Sequence, residues 1–171
     1  TYLWEQSNDN AVFAAATESN TNINYTPAAL IDTTFYRRVV YSDICRDTSS
    51  VVVITVDPLI KNFGITLPSG VTDTTICEGQ SPGTIIQEAA AITGGDGVYT
   101  YTWEQSTDGG SSWTGTGANT TSHTPGNLLI TTLFRRGVSS GACLVISDTV
   151  TINVLPAING NTLPADFSIC S

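Results

Sequence analysis

Thr1-Tyr2-Leu3-Trp4-Glu5-Gln6-Ser7 opens the chain, and Thr100-Tyr101-Thr102-Trp103-Glu104-Gln105-Ser106 repeats it almost letter for letter. The match continues downstream. Thr26-Pro27 returns as Thr124-Pro125, Thr33-Thr34 as Thr131-Thr132, Arg37-Arg38 as Arg135-Arg136, Cys45 as Cys143, and Val56 with Pro58 as Val154 with Pro156. Self-similarity at a period of about 98 residues marks a tandem module and not one large fold. A module of that size can bury a core of its own.

The repeated stretch reads as a strand. Tyr99, Tyr101 and Trp103 alternate with polar residues, the period-two pattern of a half-buried strand. Thr131 to Ser139 reads as a second strand, and Leu144 to Val154 as a third with Val150, Ile152 and Val154 on one face. Thr84 to Ile92 suits either a strand or a short helix. Gly, Asn, Asp and Pro turns punctuate these runs. The pattern predicts an all-β chain of tandem immunoglobulin-like β-sandwich modules, about seven strands each, with Trp4 and Trp103 in the core. Leu163-Pro164 through Ser168-Ile169-Cys170 resembles Leu67-Pro68 through Thr75-Ile76-Cys77. The expected boundaries are therefore 1–57, a module lacking its first strands; 58–156, a complete module; and 157–171, the first strand of a following one. Entry partway through a copy, without an initiator Met, suggests a piece of a longer polypeptide.

The 171 residues carry a net charge of −9, which makes nucleic acid and anionic membrane surfaces poor partners. No run approaches the roughly 18 apolar residues of a membrane helix, so membrane insertion is not expected.

Four cysteines, Cys45, Cys77, Cys143 and Cys170, are too far apart in sequence for a CxxC zinc knuckle. Cys45 and Cys143 occupy one repeat position; Cys77 and Cys170 occupy another. If each module closes its own bridge, Cys77 pairs with Cys143, and Cys45 and Cys170 find partners outside the chain. Such a bridge would contribute about 4 kcal/mol in the chain-entropy model and implies an oxidising compartment. The alternatives are free thiols in a reducing one, or Cys170 of one chain bonded to Cys45 of the next.

The repeated Arg37-Arg38 and Arg135-Arg136 suggest anion binding, but Glu5 and Glu104 on the tryptophan strand make cross-strand ion pairs the simpler expectation. Ser106 to Trp113 fits the SxDxGxxW pattern of an Asp-box hairpin, whose glycines supply positive φ. The first copy has neither the glycines nor the tryptophan, so the hairpin is expected only in the second. His123, the only histidine, is replaced by Tyr25 in the first copy, which argues against a general base. No GxSxG, P-loop or HExxH motif occurs, and no enzyme activity or cofactor is expected. Asp57, Asp73, Glu78 and Asp96 near module ends raise an intermodule calcium site, although no DxDxDG loop accompanies them.

Together, Tyr-x-Trp-Glu-Gln-Ser, Asp-Gly-Gly-Ser-Ser-Trp, Thr-Thr-x-Phe/Tyr-Arg-Arg, the Cys and the closing Val-x-Ile-x-Val-x-Pro resemble the tandem immunoglobulin-like or PKD-like repeats of large Bacteroidetes cell-surface adhesins. These include gliding-motility adhesins exported by type 9 secretion. The resemblance implies an extracellular, cell-surface location and an adhesive or filament role. The implied partners are neighbouring modules, surface glycans or other copies of the chain. A second reading is a carbohydrate-binding module with Trp113 or Tyr101 stacking on sugar rings. A third is an accessory domain of a large secreted hydrolase.

Overall fold

The structure, a computed structural model, describes residues 1–18 and 20–160. It is all-β, with no helix among the described residues. Chain contacts divide it into two units, Thr1–Leu59 with Gly94–Asp96, and Ile60–Thr93 with the residues from Gly97 on.

In the first unit β1 (Tyr2–Ser7), β2 (Ala14–Ala15), β3 (Thr34–Ser42), β4 (Cys45–Thr48) and β5 (Val52–Ile54) form one antiparallel sheet, ordered β2-β1-β3-β4. The fourth and fifth strands share one edge of β3. β4 lies against Val39–Ser42 and β5 against Thr34–Tyr36.

The second unit holds β6 (Ile65–Thr66), β7 (Asp73–Cys77), β8 (Ile86–Gln87), β9 (Thr100–Ser106), β10 (Thr114–Gly115), β11 (Thr132–Ser140), β12 (Cys143–Ile146) and β13 (Val150–Leu155). Its large sheet runs β10-β9-β11-β13-β7, with β12 also on β11; β6 and β8 make a second, small sheet. All pairings are antiparallel except β13 with β7, which is parallel. The run expected as one strand from Leu144 to Val154 is broken. Ser147 Oγ accepts the Arg136 amide at 2.9 Å and donates to the Asp148 carbonyl at 2.7 Å, so a side chain competes with the ladder there. Of Thr84 to Ile92, only Ile86–Gln87 enters a sheet, and the segment is not helical.

The two layers of the second unit meet in a core. Ile65, Leu67 and Ile85 come from the small-sheet side, and Trp103, Phe134, Val150 and Ile152 from the large sheet. Burying one such side chain contributes about 1.5–3 kcal/mol, so this contact is what holds the layers together. The arrangement is compatible with an immunoglobulin-like sandwich. The first unit has only the large-sheet half of it. Val52 and Ile54 are 58% and 37% exposed, whereas Val150 and Ile152, their repeat counterparts, are at 0%. Trp4, expected in the core like Trp103, is only half-buried for the same reason.

Cys45, Cys77 and Cys143 are free thiols, so the expected Cys77–Cys143 bridge is not present. The register gives the reason. Cys143 pairs with Ser140 at one end of β11, while Cys77 pairs with Leu155, beyond the Thr132 end. About eleven residue rises, roughly 35 Å of sheet, separate positions that a disulfide needs within about 7 Å. Cys170 and most of the expected opening of a third copy, residues 161–171, lie outside the described residues.

Candidate interaction site

Strand alternation splits each Arg-Arg pair. Arg37 and Arg135 fall on one face of their sheets, Arg38 and Arg136 on the other. On the first face, Arg37 Nε meets Glu5 Oε2 at 2.7 Å, and Arg135 Nε meets Glu104 Oε2 at 2.7 Å. The cross-strand register that makes this possible is Glu5↔Arg37 and Glu104↔Arg135. Each guanidinium is then capped by an aromatic ring, Phe13 over Arg37 and Trp113 over Arg135, both 4.0 Å from the ring centroid. Partly exposed pairs of this kind are worth about 1 kcal/mol or less. Their main effect is to fix which way the hairpin folds back.

The caps come from two hairpins. In the second, Asp108 Oδ1 accepts Ser106 Oγ at 2.7 Å and the Ser112 amide at 2.9 Å, and its Oδ2 accepts Ser112 Oγ at 2.6 Å. Gly109 and Gly110 take φ of 73° and 91°. In the first, Asp9 Oδ1 accepts Ser7 Oγ at 2.7 Å and the amides of Ala11 and Val12 at 2.8 and 2.9 Å. Asn10 supplies the positive φ, 58°. The hairpin expected only in the second copy is thus built in both. A loop one residue shorter hid the match between Phe13 and Trp113, although Ser7-x-Asp9 against Ser106-x-Asp108 was the signal. The hydrogen bonds hold both carboxyls low. The Val12 amide leads in bringing Asp9 down to about 2, and the Ser112 hydroxyl and amide hold Asp108 well below the ordinary carboxylate range.

On the other face, Arg136 is fully buried. Its Nη1 donates to the Thr121 carbonyl at 2.5 Å and its Nη2 to the Phe63 carbonyl at 3.2 Å; the Tyr101 and Trp103 rings lie at 5.3 and 5.7 Å. Its Nε finds no acceptor, and burial lowers its pKa. Arg38 makes the equivalent Nη1 bond, to the Ile23 carbonyl at 2.9 Å, and sits at the same 5.3 and 5.7 Å from Tyr2 and Trp4. Arg38 and Arg136 were expected in carboxylate pairs; they bond main-chain carbonyls instead, because alternation turns them away from the glutamates.

The tryptophan environment also recurs. Trp4 Nε1 donates to the Asn22 carbonyl at 3.0 Å, and Trp103 Nε1 to the Thr120 carbonyl at 2.8 Å. Trp4, Tyr25 and Tyr36 form one ring stack; Trp103, His123 and Phe134 form the other. His123 therefore sits where a flat ring is wanted. Burial lowers its pKa, and its main chain exchanges two bonds with Ile85, at 3.0 and 2.7 Å.

Of the two side chains proposed to stack on sugars, Trp113 is half-buried, with one face taken by Arg135 and its Nε1 tied to the Gly110 carbonyl at 3.1 Å. Tyr101 is better placed. It lines an open groove of about 410 Å³ with Trp103, Glu104, Gly117 and Asn119. Among the described residues no three His, Cys, Asp or Glu side chains converge on one point. Glu78, one of the four acids raised for calcium, accepts the Ala157 amide at 3.2 Å.

The family model described as "Domain of unknown function (DUF8696)" matches residues 1–58 and 69–156. No curated protein matches the chain.

Proposed function

The chain belongs to the DUF8696 family, and from that premise we propose that it is a non-catalytic structural and adhesive repeat segment of a large extracellular surface protein or filament. The observation that carries the reading is the frame built twice in one chain. Glu5–Arg37 under Phe13 and Glu104–Arg135 under Trp113 have the same geometry to a tenth of an ångström, while the hairpin tips between them differ in length and residue type. Repetition of the frame with variation of the tips suits a scaffold that sets spacing and presents loops. Antibody labelling of intact cells of the encoding organism tests it. Surface signal that is removed by external protease is the expected result; signal only after lysis would end the reading.

The groove beside Tyr101 favours a second reading, recognition of a glycan by ring stacking. A glycan array probed with the chain and with Tyr101→Ala separates the two. Binding that disappears in the variant supports recognition, and silence with both leaves the scaffold role.

A further inference from the structure

The large sheet of the second unit ends on short or charged strands, with one exception. β10 is two residues long, and β7 carries exposed Asp73, with Glu78 just beyond it. β12 is different. It pairs with β11 on one side and with no strand on the other among the described residues. The Ser147 amide donates to the Arg136 carbonyl at 2.9 Å, so the main chain of Ser147 faces β11. Alternation turns Val145 and Cys143 the same way and points the amides and carbonyls of Leu144 and Ile146 outward. Leu144 stands opposite Ser139 and Ile146 opposite Gly137, so both side chains share the face that carries Arg135. They are 63% and 43% exposed. A Cβ on Gly137 would stand 3.4 Å from Ile146 Cδ1 and 3.8 Å from Leu144 Cδ1, so the two side chains lie back across the glycine as one apolar patch.

We propose that β12 is the joint of a two-fold dimer, pairing antiparallel with β12 of a second copy of this chain. The strand is complementary to itself. With the axis at Val145, Leu144 of each copy falls opposite Ile146 of the other, and every outward amide and carbonyl finds a partner. In that register apolar side chains meet apolar ones on both sides of the axis. The first repeat marks the contrast. Its β4 holds Arg46, Asp47 and Thr48 where β12 holds Leu144, Val145 and Ile146. The same pairing there would set Asp47 directly against Asp47, and like charges opposite one another disfavour it. One edge is thus guarded by charge, and its repeat counterpart is open to its own kind. One short strand from each copy buries less than the roughly 1,200 Å² of a standard interface, so the association is weak and depends on concentration. The joint is isologous and closes at two copies. It is independent of any adhesive or glycan-binding role.

The test is sedimentation of the 171-residue chain between about 5 and 500 µM under reducing conditions, where mass action exposes weak association. The wild type is expected to pass from monomer to dimer and to stop there. Leu144→Lys and Ile146→Glu each set a charge against an apolar side chain of the other copy and should weaken association at least about tenfold. Both sites are exposed, so each variant should keep the melting temperature of the wild-type monomer. An equal mixture of the two variants should recover a mixed dimer. The new lysine of one then faces the new glutamate of the other, while the unchanged Ile146 and Leu144 meet across the axis. A wild type that stays monomeric throughout overturns the proposal. So does association that survives in either variant alone, which would place the contact on another surface. A mixture that recovers nothing overturns the self-pairing register and the proposal with it.

Discussion

Replacing Ile152 with Ala and, separately, Ile54 with Ala perturbs one repeat position in two settings. Ile152 is fully buried beneath Ile65, Leu67 and Ile85, while Ile54 is 37% exposed. Removing three carbons from a buried Ile costs about 0.8 kcal/mol each in lost transfer, about 2.4 kcal/mol in all, and the cavity left behind raises this to about 3 kcal/mol. At Ile54 there is no second layer to leave a cavity against, and the loss should stay below about 1 kcal/mol. For a module of this size the first change corresponds to roughly 12–24 °C in melting temperature and the second to a few degrees. Hydrogen exchange read by mass spectrometry resolves the units. At low micromolar concentration, Ile152→Ala should strip protection from peptides across Thr132–Leu155 and leave those across Thr34–Ile54 unchanged. A loss under about 1 kcal/mol for Ile152→Ala, or an equal loss for Ile54→Ala, would refute the one-layer against two-layer reasoning.

Arg136→Met strands the carbonyls of Thr121 and Phe63 and should lower the stability of the second unit by about 2–4 kcal/mol, whereas Arg38→Met should cost under about 1 kcal/mol. Urea melts of the two variants check the difference. Asp9 is held at about 2 by its hydrogen bonds, below the unfolded value of 3.8. Its contribution is therefore complete above about pH 4 and is lost as pH falls through about 2, so the Val12 amide should lose exchange protection over that window in the wild type but not in Asp9→Asn. Exposed Cys45 and Cys77 should react with a thiol reagent faster than half-buried Cys143. Peptide mapping of the oxidised monomer should find no Cys77–Cys143 bridge, and finding one would contradict the sheet register.

Much of the large sheet was legible because its signals are local. The alternation of Tyr101 and Trp103, the Glu104–Arg135 pairing and the turn at Asp108 each depend on residues a few positions or one strand away. The disulfide was not legible. Repeat position says which cysteines are equivalent, but only the pairing register places Cys77 and Cys143 at opposite ends of a sheet. The Arg-Arg motif was read as one unit, although strand geometry sends its two members to opposite faces. The break at Ser147 was hidden because a serine hydroxyl bonding the Arg136 amide leaves no mark on the apolar pattern. The first hairpin was missed because a one-residue deletion shifts Phe13 out of alignment with Trp113.

Val52-x-Ile54 and Val150-x-Ile152 are the same pattern, yet one pair is exposed and the other fully buried. An alternating sequence specifies a face and leaves its partner open. What does not change between the units is instructive. The Trp4–Tyr25–Tyr36 stack, the Glu5–Arg37 pair and the Arg38–Ile23 bond all form in the unit without a second layer. The frame of the large sheet, from the tryptophan strand onward, therefore keeps one geometry in both units, and in the second unit the covering layer adds burial to it.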